Sequence, residues 1–505
     1  MNRGMTHHRD VVVVGSGPNG LAAAVTLARA GLGVLVLEGQ PTVGGGARTL
    51  DLGLADGMVH DLCSAVHPMA WASPFFRSFD LRARGVELLT PEISFAQPLP
   101  GGRAGIAYHD LDRTVERLGV DGPAWRSLVG PLAAHPGHVV RVALGDKRSI
   151  PAGLLPHGAP AAVHFGLRVL EQGTRLWDRP FIDDVAPALL TGVAAHTITA
   201  LPSLAGSGTA LLLAALGHAG AGWAIPRGGS GSIVAALVDD LVEHGGEVVT
   251  DHPVRTCDDL PPAHAYLFDT SPRTLLDVMG DHLPPRARRP LERFRYGNGA
   301  AKVDFVLSEP VPWTVPEVGQ AGTVHLGGTR AEMVESEGAV QAGRHARRPM
   351  TLLSDPTVVD ESRRVGDLRP LWTYAHVPAG SDVDVTEAVT AHVERYAPGF
   401  RDVVVASRCI PAAQMHHHNQ NYVGGDISAG AATIAQMFAR PSARRDPYAS
   451  GRDGVYLCSA STPPGPGVHG LSGWFAARRV LREVFNTDQL PTLAPDRATE
   501  AWPVI

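Results

Sequence analysis

Hydrophobic and polar positions fall into distinct patterns along the chain, and each predicts a different kind of element. Unbroken β-branched and aliphatic runs at Val11–Val14 and Val34–Leu37 suit short strands buried on both faces. Residues 21–30, rich in Ala and Leu, predict the helix that joins them, with Gly31 as its stop. A similar succession returns later: a helix over 233–243, strands at 247–250, 254–256 and 265–270, and a buried strand at 454–458. Strict alternation at 302–307 and 371–376 predicts half-buried strands of another sheet, to which 86–89 and 105–108 also belong. Residues 111–118 and 124–132 read as helices. The mostly apolar stretches 161–176 and 186–218 are helical in length and suit covering a sheet or lining a tunnel. The Pro- and Arg-rich stretch 334–356 reads as a mobile surface insertion. Trp474, Phe475, Ala477, Val480, Leu481 and Val484 recur at helical spacing near the C-terminus.

Between the first strand and helix lies Gly15-Ser16-Gly17-Pro18-Asn19-Gly20, a G-x-G-x-x-G fingerprint, and the second strand ends in Glu38. Gly15 permits the tight turn, Gly17 lets backbone amides approach a pyrophosphate, and Gly20 lets helix pack on strand. The helix N-terminus adds unpaired N–H groups and the positive end of its dipole. Glu38 is placed to accept from ribose hydroxyls. Strand, turn, helix, strand and acid in this order predict an adenine dinucleotide site. Gly44, Gly45 and Gly46 form a second cluster, with Arg48 as a charge-assisted partner for the diphosphate. That cluster resembles the glycine pair of FAD-dependent oxidoreductases of the glutathione reductase and monoamine oxidase type, so the expected cofactor is FAD.

Composition narrows the setting. Charged residues are 19% of the chain and the formal net charge is −6, which leaves no basic excess for nucleic acid. The four cysteines, Cys63, Cys257, Cys409 and Cys458, form no C-x-x-C pair. That removes disulfide-relay chemistry and a spacing-defined zinc site, and isolated thiols fit a cytoplasmic setting. The polar N-terminus leads straight into a strand, so no signal peptide is expected, and no uninterrupted apolar segment is long enough to span a bilayer. Peripheral membrane contact stays compatible with this pattern. His416-His417-His418 cannot all face one ion from a regular element, so no metal site is expected there.

Three isolated histidines are candidates for proton handling: His67 in the loop 57–68, His196 in apolar surroundings, and His469 in the C-terminal loop. The polar loop 421–430 is expected to border the same site. Read together, the fingerprint with Glu38, the Gly44-Gly45 pair, the 60–68 loop, Pro226-Arg227-Gly228-Gly229, Gly424-Gly425-Asp426-Ile427 and Gly465-Pro466-Gly467-Val468-His469-Gly470 resemble the phytoene desaturase-related FAD-dependent oxidoreductases. The likeness is nearest to their pyridine nucleotide-disulfide oxidoreductase domain-containing protein 2-like branch. It implies an α/β fold with a Rossmann-like FAD domain from residues 8–75, 224–288 and 441–487. A mixed-sheet, helix-capped substrate domain would come from 76–223 and 289–440, with a tail at 488–505. Val254 would hold the adenine, and Ser461, Gly467, Val468, Gly470 and Leu471 the flavin end. Pro18 and Asn19 would join the three fingerprint glycines. The implied chemistry is hydride transfer between a C–H bond of an apolar, isoprenoid or acyl-like substrate and flavin N5. The electron acceptor is left open. An amine-oxidase-type oxidase, a redox-neutral isomerase or saturase, and a non-catalytic flavin-binding protein are the alternatives.

Overall fold

The computed structural model describes residues 9–145 and 159–496; residue 8 and the end of the expected tail lie outside them. Five parallel strands form the first sheet, in the order Val455–Leu457, Ala265–Phe268, Val11–Val14, Val34–Leu37 and Glu247–Val249. Both faces of its central strand are covered, as its composition requires. Val11 and Val13 pack with the helices Pro18–Arg29, Gly231–Glu243 and Leu471–Glu483, and Val12 and Val14 with the helix Pro272–Met279 on the other side. Periodicity places the starts of the first and last of these helices about three residues late. The missing turns, Pro-Asn-Gly and Leu-Ser-Gly, carry little hydrophobic signal because they pack backbone on backbone: a Cβ on Gly473 would stand 1.7 Å from the Asn19 carbonyl oxygen.

Seven strands form the second sheet, in the order Val404–Ile410, Gly299–Leu307, Arg369–Val377, Thr351–Ser354, Ala321–Leu326, Ile93–Leu99 and Arg103–Tyr108. Pairing is antiparallel except between Ala321–Leu326 and Ile93–Leu99. One face, including Ala301, Val303, Phe305, Leu371 and Ala375, packs into its own hydrophobic core. The helices Val185–Ala194 and Leu204–Gly217 lie in the larger core that joins this sheet to the first. Among the described residues, no helix is long and apolar enough to cross a membrane.

Several expectations need correction. The alternating strands at 302–307 and 371–376 are not half-buried, since every residue of Gly299–Leu307 and Arg369–Val377 is buried. Their polar positions face the interior, not water. The stretch 334–356 is not a surface insertion. It holds most of the helix Arg330–Gln341, opened by a Thr329/Glu332 capping box, and the strand Thr351–Ser354 within the sheet. Residues 254–256 lead into a capped turn at Thr256 instead of forming a strand. The strand expected at 86–89 is reduced to Leu88–Leu89, which pairs with Ile225–Pro226 outside the large sheet.

Candidate functional site

A continuous cavity of about 800 Å³ runs from the fingerprint turn to a chamber between the second sheet and its covering helices. At the first end, Gly15 has φ +97°, a left-handed conformation that suits glycine. A Cβ on Gly17 would meet Asp269 Oδ2 at 2.5 Å, and one on Gly20 the Gly15 carbonyl oxygen at 2.3 Å. Gly45 brings the second glycine turn against the first, where a Cβ would lie 3.1 Å from Gly17 Cα. Two backbone segments thus approach one volume with no side chain between them. The Gly17 and Asn19 amides have no protein partner, and Asn19 Oδ1 is buried without one. Pro18 lines the same end. An unfilled set of donors beside a bare backbone cradle fits a diphosphate.

Glu38 closes this end. Its carboxylate accepts from Ser16 N at 3.0 Å, Ser16 Oγ at 2.5 Å and Gln40 N at 2.9 Å, which aims it along the cavity wall. A carboxylate offers about four acceptor positions, so capacity remains for a hydroxyl. Val254 also lines the cavity. Gly44 and Arg48 stand behind the lining: Arg48 donates to Gly45 O, Thr42 Oγ1 and His418 O. Gly467 and Val468 reach the cavity. Ser461 is buried behind it and donates to Ala429 O, while Gly470 and Leu471 open the last helix. The 421–430 loop contributes Asn421, Tyr422 and Gly430 to the wall.

The three candidate histidines differ in what they have left to offer. His469 is used at both nitrogens, Nδ1 accepting from Leu471 N at 3.0 Å and Nε2 lying 3.1 Å from Gly465 O. It caps the last helix and is not on the cavity lining. His67 Nε2 lies 2.7 Å from Ser230 Oγ, and that hydroxyl gives its one proton to Ser64 O. His67 must therefore donate from Nε2, leaving Nδ1 as a lone pair with no protein partner on the cavity wall. Burial pushes its pKa down to about 4, so the ring is neutral near pH 7. Ser230 is fixed in turn by Asp61, which accepts from Ser230 N, Thr49 Oγ1 and Arg363 Nη1. Gly229, at φ +106°, lets this turn close, since a Cβ there would meet Thr49 Oγ1 at 2.5 Å. His196 lines the chamber end, with Nε2 2.9 Å from His325 Nε2.

Sequence reasoning missed three features. Asp269 follows a buried strand as Glu38 does, which was the available signal. It accepts from Gly20 N at 2.8 Å, and burial raises its pKa to about 7. Trp372 and Tyr374, with ring centroids 5.2 Å apart, line the cavity from the polar face of the second sheet. Lys302 and Asp304, directly across from them in register, form a buried ion pair behind that wall. Burial draws the Lys302 pKa down and the Asp304 pKa up. Tyr422, from the loop 421–430 expected to border the site, packs its hydroxyl where a Cβ on Gly46 would be, at 2.2 Å.

A model of the NAD(P)-binding Rossmann-like domain matches residues 13–79. The Rattus norvegicus protein called pyridine nucleotide-disulfide oxidoreductase domain-containing protein 2 is 23% identical, with 94% of each chain covered. A limonene dehydrogenase subunit of Castellaniella defragrans is 32% identical over 109 residues, 22% of this chain and 19% of that one. A solved putrescine oxidase bound to putrescine superposes with a TM-score of 0.57 at 16% identity, over 95% of this chain and 99% of its own. The chain thus has a fold like that of putrescine oxidase and is similar, along nearly its whole length, to pyridine nucleotide-disulfide oxidoreductase domain-containing protein 2.

Proposed function

We propose that the protein is an FAD-dependent dehydrogenase or desaturase that moves a hydride between a C–H bond of an uncharged, largely apolar molecule and the flavin. One observation carries the reading: the cavity that begins at the dinucleotide cradle continues without a break into a chamber walled by residues such as Leu212, Leu213, Leu352 and Met437. Bound FAD would supply the hydride acceptor, because a cofactor carries the hard step of such a reaction. The residues fit it. Gly17, Asn19 and the Gly45 turn would hold the diphosphate, Glu38 the ribose, and Gly467 and Val468 would meet the flavin end. Filling the chamber with an apolar substrate would displace water from it, and His67 Nδ1 offers a lone pair that can hold a proton leaving the substrate. The four cysteines are free thiols, which suits a cytoplasmic setting.

A second reading, an amine-oxidase-type oxidase, gains from the Trp372–Tyr374 pair and from the fold of putrescine oxidase. Against it stands the charge of the lining. Its only described carboxylates, Glu38 and Asp269, both sit at the dinucleotide end, so an ammonium group would enter the chamber without a counter-charge.

The test begins with the visible spectrum of the purified protein and identification of the released cofactor. A flavin spectrum with FAD released is the expected outcome, followed by anaerobic bleaching with apolar substrates. A colourless protein that also fails to take up added FAD would overturn the proposal. Bleaching by primary amines alone, with rapid reoxidation by dioxygen, would favour the second reading.

A further inference from the structure

Within its apolar walls, the chamber holds polar atoms that the protein leaves unused. His196 and His325 meet through their Nε2 atoms at 2.9 Å, so one of the two must donate. Both rings are fixed edge-on against Trp223, at centroid distances of 5.5 and 5.8 Å. His325 Nδ1 is buried with no partner. A stranded N–H is rarer in folded proteins than a stranded acceptor, so His325 carries its proton on Nε2 and donates it to His196. Burial pulls the His196 pKa down to about 3 and that of His325 well below its ordinary value, which keeps both rings neutral. A neutral His196 that accepts at Nε2 holds its own proton on Nδ1. That N–H belongs to a cavity-lining residue and has no protein partner. The Tyr374 hydroxyl is in the same position: its residue is 6% exposed, lines the cavity and engages no protein acceptor. Burial holds it in the protonated form.

These two donors, on a lining where Trp372 Nε1 and Thr323 Oγ1 are also buried without a protein partner, describe the ligand they await. Without an acceptor, each would be left unpaired when the chamber fills, at a cost that a matched oxygen removes. The oxygen is uncharged. Arg440 is the only described guanidinium or ammonium on the lining, and it is already donating to the carbonyl oxygens of Ser428, Ala429, Gly430 and Ala460. A carboxylate would therefore find no cation. We propose that the substrate is an apolar molecule bearing a carbonyl-type oxygen, for which His196 Nδ1–H and the Tyr374 hydroxyl are the available donors. This deepens the dehydrogenase reading and rests on it for the flavin at the other end of the cavity.

Calorimetric titration of the FAD-loaded protein with benzylacetone and with butylbenzene, its carbonyl-free counterpart, tests the inference. Benzylacetone should bind about 10–100-fold more tightly. His196→Leu and Tyr374→Phe should each remove much of that preference without weakening butylbenzene binding. His196→Gln, which keeps an amide donor, should retain it and guards against a merely structural effect of the Leu variant. Equal affinity for the two ligands, no binding of benzylacetone, or a preference unchanged in both His196→Leu and Tyr374→Phe would overturn the inference. FAD content measured on the same samples separates the two failures. Absence of flavin refutes the functional reading, whereas a flavin-loaded protein indifferent to the carbonyl refutes only the substrate class.

Discussion

At the scale of single residues, the dinucleotide end rests on two carboxylates, Glu38 and Asp269, in different surroundings. Glu38 is held by three donors from Ser16 and Gln40. Glu38→Ala removes the proposed ribose acceptor and also strands the Ser16 amide. FAD affinity, followed by fluorescence titration, should fall about 10–100-fold, as loss of hydrogen bonds to a charged group does. An unchanged dissociation constant would contradict the assigned role. Asp269 has fewer compensating partners, and burial raises its pKa from 3.8 to about 7. Between these values the folded apo-protein keeps a proton that the unfolded chain has released. The associated stability is complete below about pH 4 and is lost as pH rises through about 7. The shift corresponds to a few kcal/mol, on the order of 1.4 per pK unit. Asp269→Asn lacks this titration, so it should gain on the wild-type apo-protein as pH goes from 5 to 8. Urea midpoints at both pH values test this, and a difference independent of pH would refute it.

Elements show where sequence patterns inform and where they stop. The parallel strands were legible because burial on both faces leaves unbroken runs such as Val11–Val14. The fingerprint, Glu38 and the second glycine cluster were legible because local backbone chemistry demands them. Alternation in Lys302-Val303-Asp304-Phe305 correctly marks a strand, yet it cannot tell solvent from an internal cavity as the destination of the polar face. For the same reason Tyr374 and His325 could not be placed, since their meaning depends on strand order. Thr351–Ser354 was too short to stand out beside a Pro- and Arg-rich stretch. The Asp61–Arg363 pair is another product of tertiary structure, joining the hairpin strand Val59–Asp61 to a loop 302 positions away. Both side chains are 2% exposed. Arg363→Met should cost about 3–5 kcal/mol by leaving a buried charge unpaired. Adding Asp61→Asn should recover part of that loss, because the neutral amide oxygen can still accept from Ser230 N and Thr49 Oγ1. Chemical denaturation of the single and double variants measures the coupling, and strictly additive losses would exclude it.

On the scale of the whole molecule, the proposed function requires that one cavity join the cradle to the chamber, and this can be separated experimentally from cofactor binding. Gly208 lies on the helix Leu204–Gly217 and lines the chamber. A Cβ added there would meet nothing closer than Val169 Cγ2 at 3.9 Å, so a larger side chain can grow into the chamber without disturbing the helix backbone. Leaving glycine also removes part of its helix penalty of about 1 kcal/mol. Gly208→Phe should therefore keep the fold and the FAD content of the wild type while occupying the volume that a substrate needs. Reduction of the flavin by dithionite, which needs no chamber, should be unchanged. Bleaching by an apolar substrate should slow at least tenfold at subsaturating concentration. Equal loss of FAD and of substrate turnover would show that the chamber and the cradle are not separable. Unchanged substrate turnover would mean that the reacting molecule approaches the flavin from elsewhere.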